Sequence, residues 1–83
     1  MLKFYKIAPN SDIRKAILMT AQGPQCVCLI GTAKDLYDAQ IILTKPSEAD
    51  ADKWLLLPRA AEWTSYSFNL LEDAKNKARR MYQ

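Results

Sequence analysis

Apolar residues recur along this chain in short runs, and the spacing within each run predicts its element. "LKFYKIA" mixes aromatic, β-branched and lysine residues over the length of a strand and stops at Pro9. "PNSD" follows with turn chemistry. "KAILMTA" and "CVCLIG" flank "QGPQ", and two apolar runs around a Gly-Pro turn predict a β-hairpin. A helix capped by Ser11 or Asp12 and ended at Gly23-Pro24 competes for residues 12–22. Strands are preferred there, because on a helix Leu18 and Met19 would fall far from the Ile13/Ile17 side.

"TAKDLYDAQIILTKP" opens as a turn or short helix. Continued as a helix it would bring Ile42 beside Asp35, so a break is expected near Asp38, with "AQIILTK" forming a strand that ends at Pro46. "SEADADKWLLLP" reads as a helix. Ser47 serves as N-cap, Glu48, Asp50 and Asp52 suit the positive end of the dipole, and Ala51, Trp54 and Leu55 form the stripe before Pro58. The last helix starts with a capping-box-like pair, Asn69 and Glu72. At about 100° per residue, Leu70, Leu71, Ala74, Ala78, Met81 and Tyr82 share an arc of roughly 120°.

These elements predict one α+β domain over residues 1–83: a small antiparallel sheet of three or four strands with two helices packed on one face. A mostly α fold, with the first half helical, is the alternative. Composition agrees with a folded globule, since 49% of residues are hydrophobic and 25% charged. A chain of 83 residues holds one small core.

Charge and thiols narrow the chemistry further. A net charge of +3 favours phosphate or an acidic partner but falls short of a dedicated nucleic-acid binder. The longest apolar run, "CVCLI", is far below the roughly 18–20 residues of a membrane span. The first residues lack the apolar core of a secretory signal. A cytoplasmic location without membrane contact is therefore expected. Cys26 and Cys28 should share one face of their strand as buried, reduced hydrophobes, and two Cys without His cannot complete a structural zinc site. The absence of His removes the usual general base and the Ser-His and Cys-His pairs. No Gly-rich phosphate loop is present. Asp35 with Asp38, and Asp50 with Asp52, read as solvated caps. The expectation is a protein that is not an enzyme and needs no cofactor or metal.

Binding remains. "PRAAEWTSYSF" holds Arg59, Trp63 and Tyr66 close together outside the periodic core stripes, and these residue types are enriched at interface hot spots. Tyr66 between Ser65 and Ser67 is expected to be exposed, and "TSYSF" could form a short edge strand. In the last helix, Asp73 to Lys77 is a favourable acid-to-base pair and the other cations complement the helix's negative end, while Arg79 and Arg80 stay available for carboxylate or phosphate. The expected function is a small protein-binding module: an inhibitor, adaptor or accessory subunit of a larger complex, such as mobile elements carry. Its partner-binding residues are Arg59, Trp63, Tyr66, Arg79 and Arg80. The alternative is nucleic-acid binding through a basic and aromatic face that includes "KFYK", Arg14 and Lys15. Homodimerisation is compatible with either, because strand edges invite it.

Overall fold

The computed structural model describes residues 1–59 and 65–83. The chain forms β1 (Leu2–Lys6), β2 (Arg14–Thr20), β3 (Gly23–Thr32), α1 (Ala33–Asp38), β4 (Trp54–Pro58), β5 (Tyr66–Phe68) and α2 (Leu71–Tyr82). The five strands make one antiparallel sheet in the order β1-β2-β3-β4-β5, so each strand pairs with its chain neighbour. The α+β class holds, with five strands where three or four were expected.

The first hairpins follow the apolar runs. Around the β2–β3 turn, Gly23 takes a positive φ of 104°, a conformation glycine adopts without a Cβ penalty. The Thr20 hydroxyl accepts from the Gln22 amide at 3.1 Å and donates to the Gly23 carbonyl at 2.9 Å. Residues 12–22 are thus extended and hairpin-forming, and the helical alternative for them is excluded.

Two predicted elements change identity. Residues 39–46 form a turn followed by bends and irregular chain, not a strand. Gln40 enters the left-handed region at φ 61°, and the Ile41 and Ile42 amides both return to the Leu36 carbonyl, at 2.9 and 3.2 Å. "SEADADKWLLLP" is not a helix either: the Asp50 amide donates to the Ser47 carbonyl at 3.1 Å in a turn, and Trp54–Pro58 becomes β4 between β3 and β5. Ser47 therefore opens a turn, and its hydroxyl donates to the Asp50 carboxylate at 3.2 Å. The physical reason is the position of β4. A strand inside the sheet has both faces available for apolar contact, so Leu55, Leu56 and Leu57 can all be used without helical spacing.

The expected second helix is instead the short α1. Thr32 caps it, accepting from the Asp35 amide at 3.2 Å. The amides of Ala33 and Lys34 donate to the carbonyls of Lys53 and Ala51, at 2.9 and 3.0 Å. These bonds satisfy first-turn donors that have no partner within the helix. At α2 the expected Asn69 cap is absent: Leu70 holds the N-cap position without a side-chain bond, and its side chain is exposed.

The two helices do not share one face. On the inner face, Phe4, Ala16, Cys28, Ile30 and Leu56 meet α2 through Leu71, Ala74, Ala78, Met81 and Tyr82. Ala74, Ala78, Ile30 and Leu56 are all fully buried. On the other face, a Cβ placed on Gly31 would lie 3.0 Å from Ile13 and 3.1 Å from Leu36 of α1. Successive strand residues point to opposite faces, so with Ile30 turned to α2, Gly31 turns to α1.

The close seat of α2 is open to test. Ala78→Leu is expected to lower stability by about 1–3 kcal/mol through overpacking, and Ala74→Asp by several kcal/mol through an unpaired buried charge. Asn69→Ala, which removes no cap bond, should change it by less than about 0.5 kcal/mol in the same denaturant titration.

Candidate functional site: the outer face of the sheet

A β-bulge organises the outer face. Ala16 pairs with Cys28 but Ile17 pairs with Cys26, which leaves Val27 as the extra residue of β3. Ala16 and Ile17 point to opposite faces, and so therefore do their partners. The expectation that both thiols share a buried face is corrected. Cys28 lies under α2 at 1% exposure, while half-buried Cys26 faces outward. Val27, displaced by the bulge, packs against the inner core.

Beyond α1, the outer face is apolar with interleaved cations. One row across the sheet runs Tyr5, Lys15, Leu29, Leu57, and the next runs Lys3, Ile17, Cys26. Met19 continues the same side of β2 at 59% exposure, and Tyr5 is 47% exposed. Cys26, Cys28, Leu29, Leu57, Pro58 and Arg59, with Ile41 from the turn after α1, line a groove of about 370 Å³. A second cleft of about 630 Å³, which shares Cys26 and Arg59 with the groove, is lined by the β3 residues Pro24–Val27 and by Tyr82.

Arg59 stands where these clefts meet. Its amide donates to the Val27 carbonyl at 3.0 Å, which fixes the backbone against the bulge. Its guanidinium reaches the Cys26 carbonyl at 3.5 Å, the outer limit of a hydrogen bond. Ion pairs among the described residues join Lys6 to Asp12, Lys34 to Asp38, Lys53 to Asp50 and Arg79 to Glu72. None of these involves Lys3, Lys15 or Arg59.

The other predicted site residues fall elsewhere. Trp63 lies outside the described residues. Tyr66 is half-buried on the inner face, packed against the core, while Ser65 and Ser67 are exposed. The expected exposure of Tyr66 is reversed, because its register partner Leu56 sits under α2 and carries Tyr66 to the same side. Arg59 and Tyr66 therefore do not form one patch. The cations of α2 are largely engaged with the sheet. Lys77 lies 4.8 Å from the Tyr66 ring centroid, and Lys75 and Arg79 lie 5.5 and 5.2 Å from that of Phe4. Arg79 also donates to Asn76 at 2.6 Å. Arg80 is exposed. Such contacts contribute about 0.5–1 kcal/mol each where exposed, so these cations clamp the helix to the sheet.

Of the outer-face residues, Tyr5 entered the sequence reading only through "KFYK" in the nucleic-acid alternative, and Ile17, Met19, Leu29 and Leu57 were not among the candidate site residues. Their signal was present: β2, β3 and β4 are apolar at both parities, which asks for cover on both faces. Among the described residues no group of three or more potential metal ligands occurs, and no helix is long and apolar enough to cross a membrane. Comparison with protein-family models, curated proteins and solved structures gives no match.

Burial pushes the Cys28 thiol up to about 12, with the neighbouring Cys26 adding to the effect. Tyr82 is raised too, chiefly by burial and then by Cys28 and Tyr66. An acid whose folded pKa is raised stabilises the fold fully below its unfolded pKa, and loses that contribution as pH rises through the folded value. Stability should therefore decline between about pH 9 and 12, and Cys28→Ala should flatten that decline in urea titrations. In the native protein at neutral pH, a thiol reagent should modify Cys26 rapidly and Cys28 only on unfolding; equal rates would contradict the bulge.

Proposed function

We propose that this chain is a non-enzymatic protein-binding module, acting as an inhibitor, adaptor or accessory subunit through the outer face of its sheet. One observation carries the reading. An apolar patch of Ile17, Met19, Leu29 and Leu57 lies beyond the cover of α1, and Lys3, Lys15 and Arg59 stand among or beside it. Exposed apolar surface rimmed by polar groups is the usual mark of an interaction site. Here the rim is cationic, and its three cations have no carboxylate partner among the described residues. The complementary partner is a protein surface with an apolar centre and carboxylates around it. Arg79 and Arg80 at the end of α2 take a secondary place, since Arg79 is already held by Phe4, Glu72 and Asn76.

A second reading, nucleic-acid binding, draws on Tyr5 standing open beside Lys3 and Lys15 on this same face. Aromatic rings on a sheet can stack bases. The aliphatic character of the rest of the face favours protein, because Phe4, the other aromatic of β1, is turned inward under α2.

Affinity capture from host extract, with and without nuclease, separates the readings. The wild-type chain should retain one stoichiometric, nuclease-resistant protein. Met19→Glu combined with Tyr5→Ala should lose it while Tm shifts little, since both side chains are exposed. Retention by that variant and loss by Arg79→Ala with Arg80→Ala would move the site to the end of α2. For the nucleic-acid reading, affinity must fall steeply with salt, and no binding at about 10 µM protein and about 50 mM salt excludes it.

A further inference from the structure

We propose that the groove between β3, β4 and the turn after α1 takes an apolar side chain of a partner protein, and that Arg59 at its end takes a carboxylate next to that side chain. This deepens the protein-binding reading by assigning the recognised chemistry to one place. Besides Arg59, the groove is lined by Cys26, Cys28, Leu29, Ile41, Leu57 and Pro58, so it offers apolar walls and no buried charge. Its volume of about 370 Å³ is at the small end of ligand sites, which suits one side chain and its flanking backbone rather than a whole cofactor.

Arg59 supplies the polar end. The guanidinium presents donors in a fork that matches a carboxylate. Its only hydrogen bond among the described residues is the 3.5 Å contact to the Cys26 carbonyl, which a carboxylate would readily replace. The Arg59 backbone is anchored by its bond to Val27, so the side chain starts from a fixed point above the bulge. Sequence and geometry thus place an apolar slot and a fork with no carboxylate partner among the described residues within one residue of each other, at Pro58 and Arg59. The partner that fits is a segment in which a leucine-sized residue adjoins Asp or Glu.

The test titrates the isotopically labelled full chain with short blocked peptides and follows backbone amide shifts. The probes are acetyl-Gly-Leu-Glu-Gly-amide, its Leu-Gln counterpart and its Ala-Glu counterpart. The Leu-Glu peptide should shift the Cys26, Leu29, Ile41, Leu57 and Arg59 amides at millimolar concentration. The Leu-Gln peptide should bind about three- to tenfold more weakly, as expected for losing a charge-assisted bond near solvent, and the Ala-Glu peptide more weakly still. Arg59→Gln should abolish the Glu-over-Gln preference, while Lys15→Gln preserves it. Equal binding of Leu-Glu and Leu-Gln, or shifts lying outside the groove, would overturn the assignment. So would tighter binding of a single-stranded oligonucleotide at the same amides. Concentration-dependent shifts there without peptide would mean that a second copy fills the groove, and would overturn it as well. Capture that depends on Met19 and Tyr5 while the peptides show no preference would leave the protein-binding reading standing and remove only this inference.

Discussion

The structure depends on how closely α2 can approach the sheet. Ala74 and Ala78 present almost no side chain, so the helix lies directly on Ile30, Leu56 and Cys28. With so thin an interface, little apolar area is gained per residue along the contact itself. The aromatic rings of Phe4, Tyr66 and Phe68 fill the flanks instead, and Lys75, Arg79 and Lys77 close over two of them. This is why the basic residues of α2 belong to the architecture before they belong to any partner. The helix is held from both sides by its own cations.

One helix covers one face, and five strands have two. On the outer side α1 covers only the end near Gly31, where the missing Cβ leaves space for Leu36 and Ile13. The turn after α1 brings Ile41 to the border of the groove. Everything beyond that border, from Leu57 to Tyr5, is apolar surface broken by Lys3 and Lys15. Lys3 sits on β1, an edge strand, where a cation also discourages a second sheet from adding to the exposed edge.

Much of this was legible in the chain and some was not, for physical reasons that differ from element to element. β1, the β2–β3 hairpin, the break near Asp38 and the amphipathic α2 each carry a local signal strong enough to survive tertiary packing. The β5 strand was legible in "TSYSF" but not its direction, since the alternation of Ser65, Tyr66 and Ser67 says which residues share a face and not which face is covered. Residues 47–57 misled because Ser47, three acids and a Trp54/Leu55 pair suit a helix start and a turn before a strand equally well. Only the pairing of Leu55 with Gly31, and of Leu56 with Ile30, decides between them. The opposite placement of Cys26 and Cys28 was out of reach, because a bulge is a property of two paired strands.

The bulge also links the fold to the candidate site. Were Val27 paired regularly in the ladder instead of bulged, Cys26 and Cys28 would share a face, and the strand beyond them would present the opposite parity. With the bulge, Val27 and Cys28 both pack in the inner core, while Cys26 and Leu29 pair with the outward-facing Ile17 and Lys15. The same irregularity offers the Val27 carbonyl to the Arg59 amide just after β4 ends at Pro58. A single inserted residue thus completes the core on one side and shapes the slot on the other. It also positions the arginine between the two clefts, so the site is a consequence of how the sheet closes over its helix rather than an addition to it.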